Sequence, residues 1–430
     1  MLRRVTFPQW LAAVAVLALA VRVIYALHVR DLAVVGDALT FHRVGAGLAD
    51  GNGFVDAVRA GEPTAEHPPL MEVLVAAFDL IGAHGYFAHR LLLGAVGTVT
   101  VVLIGLVGRR VGGPRLGLTA AVVAALYPML FTADGSLMSE TLYGVFLVAS
   151  LLAALRLREA PSVGRAAALG ALIALAALTR GEALALFVLL AGPIAFAGAD
   201  AWRGRLRLWG AVVGVGILVL LPWTVFNLTR FEEPVLISTN SNGVFVGANC
   251  SATYHQPYIG AWRFQCYSAR RPGEDESQFF LRQRSEGLDY AFDHAGRWPA
   301  VVGARLLRLT DLGWYGQSLY LNASEGRSVD VMRWGIWVFR VLALLAIAGA
   351  VLLWRRRQRT SFAVLLAPVA MVFCVAIVTY GGTRFRFGAE PSIVLLASVA
   401  LVAGAERLAR RRSSASPTVA PTPVSGPVAP

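Results

Sequence analysis

The stretch VLALLAIAGAVLLWRRRQR, residues 341–359, decides the architecture of this chain. Its first fourteen residues are apolar or glycine, and its last five include four arginines. Extended back to residue 334, the apolar run is long enough to cross the hydrocarbon core of a bilayer as a helix. Arginines crowded at one end of such a run are typical of the cytoplasmic flank of a membrane span. The stretch therefore predicts a membrane helix that ends in the cytoplasm.

The composition extends this prediction to the whole chain. Of the 430 residues, 57% are hydrophobic and 15% are charged, whereas soluble domains carry about 25% charged residues. The formal net charge is +13, but the arginines lie between apolar segments and form no patch, which excludes a nucleic acid partner. A lipid bilayer is the solvent that fits this composition.

Further apolar segments of span length occur along the chain. The predicted spans are residues 9–27, 91–108, 116–131, 141–155, 166–179, 182–197, 208–226, 334–354, 362–380 and 391–405. The first, behind Arg3 and Arg4, also has features of a signal peptide, but the spans that follow favour a retained helix. The fold class predicted is an all-α polytopic membrane protein with about ten transmembrane helices.

Arginine positions orient these spans. Of the 39 arginines, 19 lie in the N-terminus and in short connections that all fall on one side of the membrane, so both termini are predicted to be cytoplasmic. The predicted organisation is a membrane domain, 1–226, with a long first external loop, 28–90; an external loop domain, 227–333, between the seventh and eighth spans; C-terminal membrane helices, 334–412; and a disordered cytoplasmic tail, 413–430.

Local patterns predict structure in the external segments. His67-Pro68-Pro69 should open a helix over residues 70–79 that lies in the outer membrane interface, with Glu72 and Asp79 on one face. Two apolar runs around Asn240-Ser241-Asn242-Gly243 indicate a hairpin over 234–247, and residues 278–295 should be helical. Cys250 and Cys266 share the large loop, where a disulfide and two free thiols are both open.

Candidate chemistry gathers on the external side. Asp37 follows the first span closely and is either a general base or the N-cap of a helix over 38–49. Arg180, Arg384 and Arg386 end apolar spans on that side, where guanidinium groups bind either a substrate phosphate or ordinary anionic lipid heads. Glu140, which follows Ser139 at the start of a span, is part of a helix cap or of the site wall.

Metal ligands have no diagnostic spacing. Glu66, His67 and His255 could approach one another only through the fold, and a structural role for His67 before the proline pair is the simpler interpretation.

These residues together resemble a known family, the membrane glycosyltransferases of family 39, which include dolichyl-phosphate-mannose protein mannosyltransferases and bacterial aminoarabinose lipid A transferases. The resemblance extends from about residue 10 to 405 and is carried by the following motifs in this order: Asp37, Gly51-Asn52-Gly53-Phe54, His67-Pro68-Pro69-Leu70, Arg90, Ser139-Glu140, Leu178-Thr179-Arg180, Trp223-Thr224-Val225-Phe226-Asn227, Ile237-Ser238-Thr239-Asn240, and Arg384-Phe385-Arg386 to Glu390-Pro391.

The resemblance implies the GT-C fold and transfer of a sugar, with inversion, from a polyprenyl-phosphate donor to a hydroxyl of a lipid, polysaccharide or protein acceptor. The reaction would occur on the outer face of the bacterial cytoplasmic membrane. Asp37 would be the catalytic residue, and the substrate-binding residues would be His67, Glu140, Arg180, Asn240, Arg384 and Arg386. No cofactor is implied with certainty, and a divalent metal stays open.

One departure from the family pattern concerns the acceptor. Ala38 stands where many protein mannosyltransferases carry a second acidic residue, which argues against a protein acceptor. The alternative function is a polytopic lipid-sugar flippase or transporter without transferase activity, although ionisable groups near mid-membrane, expected of a transporter, are scarce.

Overall fold

The computed structural model describes residues 6–59, 61–199 and 201–414, with side chains to residue 411. Across these residues the chain is helical, and the only β-type pairing is one isolated bridge between Val55 and Pro63. Arg3 and Arg4 lie outside the described residues. So does the predicted tail, apart from its first two positions, 413 and 414, which continue the last helix.

Eighteen α-helices are present in the described residues. In chain order they are α1 Phe7–His28, α2 Asp37–Ala49, α3 Leu70–Leu80, α4 Tyr86–Leu126, α5 Pro128–Asp134, α6 Glu140–Glu159, α7 Val163–Ala177, α8 Gly192–Ala197, α9 Trp202–Leu228, α10 Asn240–Ala248, α11 Ser251–Tyr254, α12 Glu276–Asp293, α13 Trp298–Leu309, α14 Tyr315–Ser324, α15 Val329–Arg355, α16 Arg359–Val378, α17 Thr383–Arg386 and α18 Glu390–Ser414.

Seven helical segments of the described chain are long and apolar enough to cross a membrane. They are α1, α4, α6, α9, α15, α16 and the run from α17 into α18. Two shorter apolar segments, α7 and Gly181–Ala197, join them. Because α4 folds back on itself, it counts as two apolar helices. The nine segments therefore provide ten apolar helices, at the ten positions predicted.

The reversal inside α4 has a local cause. Gly113 has φ +86°, a backbone conformation that L side chains rarely adopt, and Pro114 follows it. The two arms then pack closely, since a Cβ on Gly117 would lie 2.5 Å from the carbonyl oxygen of Gly105. Glycine at this crossing lets two short spans form an antiparallel pair.

The arginine-rich connections meet at one end of the helix bundle. The guanidinium of Arg109 lies over the ring of Phe7 at the start of α1, 4.6 Å from its centroid. Arg110, at the reversal in α4, forms an ion pair with Glu159 at the end of α6. Three connections that the arginine count assigns to one side are therefore neighbours in space.

The large segment between α9 and α15 is helical, and the hairpin predicted over 234–247 is wrong. Asn240–Ala248 forms α10, which packs against α12. Gly243 and Gly247 are four positions apart, on one helix face, and lie against the rings of Phe280 and Trp262. Tertiary packing on these two glycines outweighs the local turn signal of the sequence.

Two other local predictions are confirmed. The prolines at 68 and 69 precede α3, Leu70–Leu80, and the helix expected near 278–295 is α12.

Cys250 and Cys266 form a disulfide within the large external segment. The carboxylate of Glu276 ties this segment to the first loop, because it accepts hydrogen bonds from the amide of Ala65 (2.8 Å) and the hydroxyl of Thr239 (2.7 Å).

Candidate active site

Asp37 is the first residue of α2 and does not cap it. The cap position belongs to Gly36, whose φ of +59° turns the chain into the helix. The carboxylate of Asp37 instead accepts a hydrogen bond from Nη1 of Arg384 at 2.5 Å. Its other oxygen lies 3.8 Å from Nε2 of His67. The side chain is 31% exposed, so one of the two predicted roles, the helix cap, is wrong, and the carboxylate faces a partly open site.

Arg90 anchors the segment between α1 and Asp37. Its guanidinium, on α4, donates to the carbonyl oxygens of Val29, Arg30 and Leu32, which follow the end of α1. These carbonyls have no partner within a helix, so the buried guanidinium supplies their hydrogen bonds. Its positive charge also interacts favourably with the negative, C-terminal end of the α1 dipole. The arginine thereby fixes the start of the loop that carries Asp37.

His67 lies beneath Asp37 and is buried. Its ring contacts that of Phe41 on α2, with centroids 4.6 Å apart, and its Nε2 has no hydrogen-bond partner among the described residues. After the proline pair, the amide of Leu70 donates to the carbonyl oxygen of Leu178 at 3.0 Å. This bond joins the first loop to the turn that carries Arg180.

Glu140 is the centre of a group of arginines. It is the first residue of α6, fully buried, and its Oε1 accepts from Nε of Arg384 at 2.7 Å. The same oxygen lies 3.1 Å from Nη1 of Arg180 and 3.9 Å from Nη2 of Arg327. A helix N-terminus favours a carboxylate at this position. We call Asp37, Glu140, Arg180, Arg327 and Arg384 the charged cluster.

Arg180 reaches the charged cluster from the turn after α7. Its Nε donates to Glu182 at 2.6 Å, and its guanidinium lies 5.6 Å from the centre of the Phe385 ring. Its Nη1 is also 3.5 Å from the hydroxyl of Ser139. Two carboxylates and a ring hold the planar group at the edge of the site, 9% exposed.

Arg386 lies outside the charged cluster, although it was predicted to bind phosphate. It is buried, donates to Asp311 and Glu390 at 2.6 Å each, and stacks on the ring of Phe339. Two carboxylates already neutralise it within the helix bundle. This position argues against a phosphate contact for Arg386, and Arg384, 16% exposed, is the arginine of that motif that reaches the partly open site.

Asn240 makes no hydrogen bond to the charged cluster within the described residues. It begins α10, and its amide is 3.3 Å from the carbonyl oxygen of Glu66. This backbone contact helps to seat the large segment on the first loop. Its predicted contact with substrate stays a prediction.

Arg327 is a member of the cluster that the sequence did not reveal. It lies between α14 and α15, is buried, and uses Nη1 on the side-chain oxygen of Asn322. Its Nε and Nη2 have no hydrogen-bond partner among the described residues. The sequence does contain a signal for it, because Arg327 precedes an apolar span on the external side. Arg180 and Arg384 have the same position relative to their spans.

Electrostatics set the protonation states outside the membrane helices. Burial alone would raise the pKa of Asp37, but the Arg384 guanidinium outweighs it and holds the pKa below its usual value. Burial lowers the pKa of His67, against the opposing effect of Asp37. Burial raises the pKa of Glu325. At neutral pH the site therefore has an ionised Asp37 beside a neutral imidazole.

Metal binding near Asp37, which the sequence left open, stays a prediction. No group of three or more histidine, cysteine, aspartate or glutamate side chains in the described part of the chain has the geometry to hold an ion. One carboxylate oxygen of Asp37 is paired with the guanidinium of Arg384 at 2.5 Å. His255, the third ligand considered from the sequence, hydrogen-bonds to the carbonyl oxygen of Ser251 instead.

Comparison with known proteins agrees with this architecture. Residues 66–226 match the sequence model of the dolichyl-phosphate-mannose-protein mannosyltransferase family. No curated protein matches this chain significantly. The matched segment holds His67, Glu140 and Arg180, three residues predicted for the site.

Solved structures show the fold. The chain is similar to the Archaeoglobus fulgidus oligosaccharyltransferase in complex with Zn and sulfate, at 15% identity and TM-score 0.56, over 94% of this chain and 50% of that one. It is also similar to the oligosaccharyltransferase AglB of that organism with an inhibitory peptide and a dolichol-phosphate, at 15% identity and TM-score 0.50, over 96% and 52%. A third match is ArnT from Cupriavidus metallidurans bound to undecaprenyl phosphate, at 18% identity and TM-score 0.44, over 94% of this chain and 81% of that one.

The chain is thus a polytopic α-helical membrane protein with the fold of the GT-C glycosyltransferases, as the sequence predicted. It resembles the dolichyl-phosphate-mannose protein mannosyltransferases in the segment from residue 66 to 226. It spans about half the length of the oligosaccharyltransferases that it matches.

Proposed function

We propose that this chain is a glycosyltransferase that moves a hexose or pentose, with inversion, from a polyprenyl-phosphate donor to an acceptor hydroxyl. The reaction takes place on the outer face of a bacterial cytoplasmic membrane. The observation that carries the proposal is the charged cluster itself, in which a partly exposed carboxylate and three arginines meet at the ends of membrane helices. The fold and the family match support it, and the archaeal AglB of similar fold binds a dolichol-phosphate.

The arginines are the binding site for the donor phosphate. Arg180 and Arg384 present guanidinium groups near the opening, and two nitrogens of Arg327, Nε and Nη2, make no hydrogen bond within the described residues. Charge-assisted hydrogen bonds from planar guanidinium groups suit phosphate oxygens, and they are stronger where water is partly excluded. Glu140 holds the arginines together before the donor arrives, which reduces the cost of bringing three like charges close.

Arg384 couples donor binding to the base. In the free protein it bridges Asp37 and Glu140, and an aspartate paired in this way is a weak base. When the donor phosphate takes over the guanidinium, Asp37 loses its partner and its basicity rises. The carboxylate is then free to face the acceptor hydroxyl.

The chemical step needs only these groups. The acceptor oxygen attacks the anomeric carbon opposite to the phosphate, its proton passes to Asp37, and the bond from carbon to phosphate oxygen breaks. The electron pair leaves with the polyprenyl phosphate, whose charge the arginines stabilise. Attack from the opposite face inverts the anomeric carbon.

The test is Asp37→Asn in purified protein supplied with radiolabelled polyprenyl-phosphate sugars and a mixture of membrane acceptors. The amide keeps the size of the side chain but cannot take a proton, so transfer should fall by about 10²–10⁴-fold, the usual contribution of a general base. The exposed Asp50, at the other end of α2, supplies the matched control Asp50→Asn, which should transfer normally. The measurement is label on the acceptor together with free polyprenyl phosphate.

Two outcomes would contradict the proposal. Transfer by Asp37→Asn within a few-fold of wild type would remove Asp37 as the base. Wild-type protein that binds or translocates the donor without releasing polyprenyl phosphate would instead fit a lipid-sugar flippase.

A further inference from the structure

A cavity of about 230 Å³ lies beside Asp37, between the first external loop and α12. We call it the side pocket. Its lining includes Thr40, Asp56, Glu66, Glu276, Phe279 and Phe280. Pockets for drug-sized ligands measure about 300–1,000 Å³, so this one accepts a unit no larger than a single sugar ring or an amino-acid side chain.

The side pocket is next to Asp37 in the chain and in space, and no member of the charged cluster lines it. Thr40 follows Asp37 by three positions on α2, which places both on one face of the helix. Glu66 is the neighbour of His67, whose ring lies 3.8 Å from one carboxylate oxygen of Asp37, while the other oxygen faces Arg384. Inverting transfer needs donor and acceptor on opposite sides of the reacting carbon, so an acceptor site should be separate from the arginines that bind the donor.

Some polar groups of the side pocket are committed to the fold. Asp56 accepts hydrogen bonds from the amides of Val58 and Arg59, both at 2.7 Å. Glu276 accepts from Ala65 and Thr239. These carboxylates shape the pocket wall and position its backbone.

Two polar groups are available to a ligand. Within the described residues neither the hydroxyl of Thr40 nor the carboxyl of Glu66 makes a side-chain hydrogen bond or ion pair, in contrast to Asp56 and Glu276. Burial, with Asp37 and Glu276 as further causes, raises the pKa of Glu66 to about 8. A carboxyl group that is protonated near neutral pH donates one hydrogen bond and accepts another, which suits a ligand hydroxyl.

The charges and aromatic rings of the pocket lining indicate which class of ligand fits the pocket. The pocket carries acidic side chains, and Arg59, its one basic lining residue, is exposed at the rim, so an anionic group is disfavoured inside. Phe279 and Phe280 lie edge to face, 5.1 Å apart, and supply an apolar surface for the C–H face of a ring. Hydroxyl-binding groups opposite phenyl rings are the combination that recognises a neutral carbohydrate.

We propose that the side pocket binds the acceptor and that the acceptor is an uncharged sugar unit, whose hydroxyl it presents to Asp37. This inference rests on the transferase function proposed above. Thr40 and Glu66 hold the sugar by its hydroxyl groups, and Phe279 packs against its ring. They are positioning residues for the acceptor, separate from the arginines that hold the donor.

The experiment compares wild-type protein in nanodiscs with Glu66→Met and Thr40→Val, two substitutions that keep side-chain size and remove the group that binds a hydroxyl. Binding of radiolabelled neutral trisaccharides (mannotriose, maltotriose and galactotriose) is measured by equilibrium dialysis. Transfer kinetics then give separate KM values for the donor and for each trisaccharide. The exposed Glu232, on the loop after α9, supplies the control Glu232→Met.

We expect at least one trisaccharide to bind, and each pocket variant to raise its Kd and its KM at least fivefold. The donor KM should stay within twofold of wild type, which a general loss of structure would not allow. Glu232→Met should match wild type. Either of the two pocket variants suffices if the other fails to fold.

Three results would overturn the inference: no trisaccharide binding by wild type, equal loss of donor and acceptor affinity in the variants, or transfer to a threonine-containing peptide in preference to all the sugars. Trisaccharide binding that depends on Glu66 without any transfer has a different meaning. It would leave the side pocket as a sugar site and reject the transferase function.

Discussion

At the scale of single residues, the two arginines of α17 show how two positions along a helix separate two roles. Arg384 and Arg386 point in different directions, since residues two apart do not share a helix face. Arg384 pairs with Asp37 and Glu140 at the site. Arg386 pairs with Asp311 and Glu390 inside the bundle.

This difference predicts opposite phenotypes for the same substitution. Arg384→Gln should leave a folded protein whose donor KM rises tenfold or more, because the phosphate loses a planar cation. Arg386→Gln should lose stability, since Asp311 and Glu390 would remain buried without their partner, and removing one partner of a buried pair costs about 3–5 kcal/mol. Donor kinetics and thermal unfolding in detergent measure both effects.

Each variant is the control for the other. A stable Arg386→Gln protein with weakened donor binding would mean that Arg386 contacts the phosphate after all, as first predicted. Normal donor KM in Arg384→Gln would place the phosphate elsewhere, with Arg180 and Arg327 as the remaining candidates.

At the scale of elements, α3 is a helix that the sequence located, with Glu72 and Asp79 on one face. In the structure both side chains are buried. Oε2 of Glu72 has no hydrogen-bond partner among the described residues, whereas Leu80 and Ile81, at the end of the helix, are 72% and 74% exposed. Asp79 pairs with His89 of α4 at 3.1 Å, so this face of α3 packs inwards and its apolar end is exposed.

The buried Glu72 predicts a pH-dependent stability. Burial raises its pKa to about 8, from an ordinary value of 4.5. The folded state therefore holds a proton that the unfolded state releases, and stability from this group is complete below pH 4.5 and is lost as the pH rises to about 8. The Tm of Glu72→Gln should therefore fall less than the Tm of wild type when the pH is raised from 5 to 8.

The difference between the two proteins is the quantity to compare, because other groups titrate in both. Glu232→Gln, at an exposed position, should keep the wild-type pH profile. Parallel profiles for wild type and Glu72→Gln would show that Glu72 is ionised in the folded protein.

At the scale of the whole molecule, two ends of the helix bundle differ in charge chemistry. One end gathers arginine-rich connections such as the pair of Arg110 and Glu159. The other gathers the charged cluster, the side pocket and the disulfide-linked external segment. Positive charge at one end orients a membrane protein during insertion, and this supports the external position that we propose for the reaction site.

Cysteine labelling checks this orientation. In a Cys374→Ala background, a membrane-impermeant maleimide should label Val58→Cys, 85% exposed in the wild type, in intact cells. It should label Ala160→Cys and Gln358→Cys only after the membrane is opened. Labelling of either of the last two positions in intact cells would reverse the topology and place the charged cluster in the cytoplasm.

How much the sequence determined follows from the range of each signal. The apolar spans, the reversal at Gly113 and Pro114, α3 and α12 depend on hydropathy and backbone preferences over a few residues, and these are readable locally. The placement of Asp37, Arg180 and Arg384 at one end followed from counting spans, because each crossing of the membrane switches sides.

Tertiary structure alone decided which of those groups meet. Arg384 and Asp37 are 347 positions apart, and Arg384 and Glu140 are 244 positions apart. No local pattern encodes such pairs, since charges find partners only after helix packing has removed water from around them. For the same reason Glu140 became the centre of the charged cluster, Arg327 joined it, Arg386 turned inwards, and the Asn240 turn became a helix where two glycines meet aromatic rings.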